Sequence, residues 1–439
     1  MKLTFLGAGS TVFAKNVIGD VLLTPELNQN LTVALYDISA ERLEDSYAVI
    51  EGINRRYNNG QAKIEKYLGV DQRKDALRGS NFIVNAIQVG GYDPCTIIDF
   101  EIPKKYGVGQ IIADTLGIGG IFRGLRSIQV IKEFARDIEE VCPDAWFLNY
   151  TNPMAIITGY LQRYTKVKTI GLCHSVQVCT KVLFERLGMD HSRVGSELIA
   201  GINHMGWLLE VKDKEGRDLY PEIAKLAKEK NQNEKHIDMV RYDYIDKFGY
   251  YCTESSTHSA EYTPFYIKSH KPELMEKFNL VFDDYIQICK DQIEGWAKQR
   301  EELLNGGEVE HERSLEYASL IMKAMVTDTP FKIGANVINN GVIQNLPYEA
   351  CVEVPCMVDG QGVHPTFVGR LPVQCAALNM TNINCQLVTI DAAVTGDKKR
   401  LYQAAFLDPH TSAELSLEEI ILLCDELIEA HEKAGYKII

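Results

Sequence analysis

The sequence predicts an α/β fold, a doubly wound parallel sheet followed by a second half of α+β character. Three observations carry that reading. Through about residue 195, short apolar runs of strand length alternate with stretches of helical period. A Gly-x-Gly turn stands directly after the first run, where a parallel sheet of this kind opens its first helix. Beyond residue 195 the rhythm changes to a hairpin-like segment and long charged helices. We therefore expect two domains, 1–195 and 196–439, with helices of the second packed back onto the first, because no flexible linker parts them.

The elements follow in order. Lys2–Leu6 and Thr32–Tyr36 read as strands, as do the apolar runs Phe82–Ile87, Trp146–Tyr150 and Thr169–Leu172. Val12–Leu23, Ala40–Tyr57 and Gly124–Glu140 have helical spacing, and the glycine-rich Gly117–Arg126 reads as a loop. In the second half, Asp213–Arg217 reads as a turn between Leu208–Val211 and Leu219. Helices are expected near Ile223–Asn231 and Pro272–Leu304, with a loop at 305–312 and a further helix beginning after it. A last helix spans Leu417–Ala434, where Ser416 and Glu419 have capping-box spacing.

Composition excludes several classes. A chain of 439 residues with 46% apolar and 24% charged residues can bury a large core without disulfides. A formal charge of −14 argues against nucleic acid or an anionic membrane as partner. No run of about eighteen apolar residues exists, so no membrane-spanning helix is expected. The start turns glycine-rich too soon for an export signal, and the eleven cysteines are scattered without a CxxC pair. These features point to a reduced, cytoplasmic protein.

Gly7-Ala8-Gly9-Ser10 follows the first strand and opens a helix, which is the Rossmann-type arrangement for a dinucleotide. The third small residue of the fingerprint is missing, because Val12 stands there. Asp37 closes the second strand, placed to take the adenosine ribose hydroxyls and to disfavour a 2′-phosphate, so NAD is expected over NADP. A helix cap or turn is the alternative role for Asp37. Asn85 ends a third strand and leads into Ala86–Gly91, whose small residues would admit the nicotinamide half.

Four polar clusters remain, at 149–153, 173–176, 203–207 and 253–262. Read alone, Cys173 and His204 are either a ligand pair for a divalent metal or two packing residues with one hydrogen bond each. Thiolate with imidazole suits zinc better than manganese. His174 is a third ligand or an acid–base group, and nothing local marks Tyr262 as a base.

The pieces GAGS 7–10, NAIQVGG 85–91, TNP 151–153, LCHSV 172–176, NHMGW 203–207, TESSTHSAEYTPF 253–265 and NNGVIQNLPYEACVEVPC 339–356 together resemble glycoside hydrolase family 4. The resemblance implies a fold similar to lactate and malate dehydrogenases, with NAD⁺ and usually Mn²⁺. It implies transient oxidation of sugar C3, removal of the C2 proton, elimination of the leaving group, addition of water and re-reduction. Cys173 and His204 match the family's metal ligands, Tyr262 its C2 base and Asn152 a substrate hydroxyl contact. His174 follows the metal cysteine, where 6-phospho-α-glucosidase members carry an acid, and is either the leaving-group acid or a sugar contact. Arg123 is a candidate anion or hydroxyl contact. The CHSV form is similar to the α-galactosidase branch, with α-glucosidases, uronic-acid-cleaving and 6-phospho members as alternatives. A homodimer or homotetramer is implied as well. Two rival readings remain: a 2-hydroxyacid dehydrogenase, and a nucleotide-binding module without catalysis.

Overall fold

Five of six short parallel strands are buried almost continuously instead of alternating, as expected of a parallel sheet covered on both faces. In the computed structural model, which describes residues 1–304 and 309–439, the six are β1 (Lys2–Leu6), β2 (Thr32–Asp37), β3 (Lys63–Leu68), β4 (Phe82–Asn85), β5 (Trp146–Asn149) and β6 (Lys168–Gly171). All their pairings are parallel, in the order β3-β2-β1-β4-β5-β6. The α/β, Rossmann-type expectation is met. The order reverses between β1 and β4, the place where sheets of this kind form their ligand crevice beyond the carboxyl ends of the strands.

The sheet then continues as an antiparallel extension. β7 (Val194–Ile202), β8 (Met205–Asp213), β9 (Tyr251–Cys252), β10 (Phe331–Ile338), β11 (Cys351–Asp359) and β12 (Gly362–Pro365) complete it, and β10 joins it to β6 through the pair Asn336–Gly171. No helix among the described residues is long and apolar enough to cross a membrane.

Several sequence expectations need correction. The glycines at 117–120 form no loop, because one helix runs Gly117–Val141. A Cβ on Gly119 would lie 2.9 Å from the Ala113 Cβ, and one on Gly120 2.7 Å from the Thr115 carbonyl carbon. These glycines permit close packing, a use that composition does not distinguish from a turn. The helix expected over 272–304 is broken into Glu273–Lys277 and Asp284–Leu304, with Asn279 and Asp283 between them at φ +53° and +63°. Of the loop expected at 305–312, residues 305–308 lie outside the described residues, and helix Ala318–Thr327 begins after 309–317. The 213–217 turn forms, but its return limb is one bridge, Lys212–Asp218, before helix Tyr220–Asn233. β3 escaped notice because its charged residues alternate along a half-exposed edge.

The C-terminal helix Leu417–Lys433 carries the expected capping box at Ser416 and Glu419. It delivers His431 to a buried charge cluster. Arg126 makes a bidentate pair with Asp99 at 3.0 and 2.6 Å, and His431 Nε2 lies 2.9 Å from the same carboxylate. Arg126 Nε also donates to the Val89 carbonyl at 3.1 Å, tying helix Gly117–Val141 to the loop after β4. Replacing Arg126 by Met strands a buried carboxylate, and such breaks cost about 3–5 kcal/mol. We expect Arg126→Met to lower the unfolding free energy by an amount of that order, read as a fall in the urea midpoint, and an unmoved midpoint would remove the cluster from the account of stability.

Candidate active site

The crevice wall starts at β1. Gly7 turns with φ +82°, and its N–H and that of Ala8 both reach the Tyr36 carbonyl at 3.0 Å. A Cβ on Gly7 would sit 2.7 Å from the Ala86 carbonyl oxygen, and one on Gly9 2.8 Å from Asp37 Oδ2, so both positions need glycine. Asp37 ends β2, accepts from Gly9 N at 2.6 Å with one oxygen and from Ser39 N at 2.9 Å with the other. Ser10 is exposed at the head of helix Thr11–Leu22, which leaves its N-terminus open to a ligand, and Val12 is 53% exposed on its first turn. Asn85 ends β4, donates to Asn149 Oδ1 and Thr151 Oγ1 at 2.8 and 3.1 Å, and keeps its buried side-chain Oδ1 without a partner among the described residues. The crevice therefore has a glycine cradle, a carboxylate and a free buried acceptor, which fits a dinucleotide.

Further along the same edge, Cys173 stands just past β6 and begins helix His174–Leu187. His204 lies in the tight connection between β7 and β8, and Glu254 follows β9 with φ +68°. Donor atoms of these three residues lie within 4.8 Å of one another. Glu254 Oε2 is 3.8 Å from Cys173 Sγ and 3.7 Å from His204 Nε2. One sulfur, one imidazole nitrogen and one carboxylate oxygen facing a common point suit a divalent ion, and the oxygen makes the set harder than Cys173 and His204 alone.

The electrostatics agree. Burial pushes His204 down to about 4, which keeps the imidazole neutral and able to bind a cation. Burial raises Glu254, but the imidazoles of His204, His258 and His174 outweigh it and hold it at about 2. Burial lowers His258, but its bond to Asp114 and the charge of Glu254 overcome this and raise it to about 9. With His204 neutral, His258 is the lasting cation beside Glu254. Burial, Glu254 and Glu353 drive the Cys173 thiol well above its usual range.

Tyr262 is buried at the end of helix Ser256–Glu261, and its hydroxyl accepts from His204 N at 3.1 Å. Burial, with Asp114 and Glu254 nearby, raises it well above 10. Asn152 donates to Asp114 Oδ2 at 3.0 Å, and His258 Nε2 lies 3.5 Å from the other Asp114 oxygen. Arg123 is buried, bonds the Tyr285 hydroxyl at 3.2 Å and adds its charge to those holding Asp114 low. His174 is exposed at the first turn of its helix, with its charge felt at Glu254 and His204. The cofactor candidates thus line the crevice, and the metal and catalytic candidates gather at its far end.

Sequence reasoning left out Glu254, Asp114 and His258. Asp114 had a legible signal, an isolated acid in the apolar run Ile111–Leu116. Glu254 and His258 are four residues apart around a helix start, where Ser255 accepts from His258 N. Glu261 supports the group from behind, accepting backbone N–H bonds from Ile111, Ile112 and Ala113 at 2.6–3.2 Å and so fixing the loop that carries Asp114.

Comparison with known proteins decides the family. Residues 2–189 match the description "Family 4 glycosyl hydrolase", and residues 199–411 match "Family 4 glycosyl hydrolase C-terminal domain". The chain belongs to glycosyl hydrolase family 4. It is 59% identical to the α-galactosidase of Bacillus subtilis over 430 residues, 98% of each chain. It is 35% identical to the α-galactosidase of Rhizobium meliloti, covering 98% of this chain and 88% of that one. Among solved structures, a 6-phospho-α-glucosidase from gut microorganisms in complex with NAD and Mn²⁺ aligns with a TM-score of 0.82 at 22% identity, covering 100% of this chain and 99% of that one. At that identity the likeness shows the shared fold.

The donor set makes a quantitative prediction. Because Cys173 is held well above its usual range while His204 is already neutral, binding a divalent ion through the thiolate must release about one proton near neutral pH. Affinity should then rise about tenfold per pH unit between pH 6.5 and 8. Calorimetry in two buffers of different ionisation heat measures the release, and zero protons would take Cys173 out of the ligand set. Glu254→Ala should weaken Co²⁺ binding by more than the ~10–100-fold that loss of a supporting residue costs.

Proposed function

We propose that this chain hydrolyses α-galactosides with NAD⁺ and a divalent ion, Mn²⁺ by preference. The observation that carries the reading is the Cys173–His204–Glu254 donor group at the end of a glycine-lined dinucleotide crevice. The choice of α-galactoside rests on the 59% identity to a Bacillus subtilis α-galactosidase. Residues 1–195 supply the dinucleotide side and 196–439 supply His204, Glu254 and Tyr262. Homo-oligomerisation, as dimer or tetramer, belongs to the same reading, and the exposed Tyr348 and Phe367 on adjoining loops fit a covered surface. A cytoplasmic setting fits eleven buried, unpaired cysteines.

When bound, NAD⁺ supplies a hydride acceptor for sugar C3 and the divalent ion supplies a Lewis acid for the neighbouring oxygens. Gly7, Gly9 and Ser10 hold the pyrophosphate, Asp37 the ribose and Asn85 the nicotinamide half. Cys173, His204 and Glu254 hold the ion. Tyr262 takes the C2 proton, and its phenol must be lowered by the cation to do so near neutral pH. Asn152 and Asp114 bind sugar hydroxyls, with Asp114 kept ionised by His258. His174 stands at the exposed rim, where it protonates the departing oxygen. Arg123 helps keep Asp114 ionised through its charge, and the N–H donors not used on Tyr285 are free for a sugar hydroxyl.

Release of para-nitrophenol from the α-galactoside should need both NAD⁺ and Mn²⁺ in reducing buffer, with no NADH accumulating. The α-glucoside, galacturonide and 6-phospho analogues should be slower. Faster turnover of an analogue would reassign the sugar, and NADH formation from 2-hydroxy acids alone would overturn the glycosidase reading. In deuterated solvent, Tyr262→Phe should suppress exchange at sugar C2, and exchange at the native rate would remove Tyr262 from the mechanism.

A further inference from the structure

Residues 309–317 have no regular secondary structure, yet they are tied down at both ends. At the first end His311 packs on Gly19, where a Cβ would lie 2.5 Å from the imidazole. His311 Nε2 is 2.9 Å from Asp20 Oδ1, with both side chains buried. Asp20 also accepts the Ser314 N–H at 3.0 Å and the Ser314 hydroxyl at 2.6 Å, and Arg313 donates to Thr24 Oγ1 at 3.1 Å. Gly19 and Asp20 belong to helix Thr11–Leu22, whose N-terminus faces the dinucleotide crevice.

At the second end stands Tyr317, buried at the start of helix Ala318–Thr327. Its hydroxyl accepts from Cys173 N at 2.9 Å. The same oxygen lies 3.1 Å from the Cys173 carbonyl and 3.2 Å from the Gly334 carbonyl, to which its proton is offered. One hydroxyl thus meets both backbone polar groups of Cys173 and fixes the peptide planes on either side of it. The direction of Sγ follows from those planes and from its 3.0 Å contact with Ser175 Oγ.

We propose that Tyr317 is a positioning residue for the Cys173 thiolate. Residues 311–317 form a strap that registers the dinucleotide helix against the metal centre. The inference rests on Cys173 being a metal ligand. A phenylalanine at 317 would keep the ring and its burial but leave the Cys173 N–H unpaired in a buried position, which the backbone relieves by turning. Ligand distances tolerate only about 0.2 Å, so a turned peptide displaces the sulfur from its place.

The test is Co²⁺ titration of the full chain under reducing, anaerobic conditions, read from the thiolate-to-cobalt charge-transfer band. Tyr317→Phe should raise the Co²⁺ dissociation constant about 10–100-fold, as for other supporting partners of metal ligands, and weaken the band, with NAD⁺ affinity unchanged. In a Cys173→Ser background the same substitution should add little further loss, since its effect runs through the sulfur. An unchanged constant and band in Tyr317→Phe would overturn the proposal, and so would an equal loss in both backgrounds, which marks general loosening. Absence of a thiolate band in the native protein would instead overturn the ligand assignment of Cys173. Should Tyr317→Phe fail to fold, Ser314→Ala is the second variant, releasing the strap from Asp20. It should shift Co²⁺ affinity in the same direction by less, and an unchanged affinity would overturn the strap.

Discussion

The site depends on one constraint of parallel sheets: every strand delivers its carboxyl end to the same edge. Gly7, Asp37, Asn85, Asn149 and Cys173 are scattered over more than a third of the chain, yet each stands at or just past the end of a strand. Registers that pair Leu6 with Asn85 and Asn85 with Asn149 set those ends level. The antiparallel extension then brings the second half to the same edge. β10 crosses beside β6, and the β7–β8 connection carries His204 to within reach of Cys173.

Packing so much charge below the surface has a price in solvation, and the structure meets it with ordered pairs. Asp114 and Glu254 share His258, whose imidazole lies between them. Among the described residues, Glu353 pairs with no such cation. Burial pushes it up to about 7, and Asn336 and Asn203 donate to it at 3.0 and 3.4 Å. It lies directly behind the Asn203–His204 connection and adds to the field that raises Cys173.

Much of the fold was legible because the first half repeats one local pattern, apolar run then helical run, whose period survives without context. The dinucleotide side was legible for the same reason, since glycines and Asp37 sit at fixed places in that pattern. What was not legible depends on contacts between distant segments. The glycines at 117–120 read as a loop because their packing partners, Ala113 and Thr115, are only evident in three dimensions. Glu254 stood in a polar cluster without a role and Asp114 in none, because nothing local says that Cys173 and Asn152 face them. Resemblance to a family pointed to Cys173, His204 and Tyr262, whereas Glu254, His258 and Asp114 needed the folded chain.

Asp37, proposed above to read a ribose, is also occupied within the chain. Its two oxygens hold the backbone N–H groups of Gly9 and Ser39, so the carboxylate is also the keystone of the turn at the head of helix Thr11–Leu22. On the proposed role of Asp37, cofactor selectivity and loop architecture would be encoded in the same atoms. An engineer who wished to retune this chain for a phosphorylated ribose could not simply exchange the acid for a neutral or basic residue. The two orphaned amides would need new acceptors first, so any selectivity that Asp37 confers would be hard to evolve away from as well as hard to redesign.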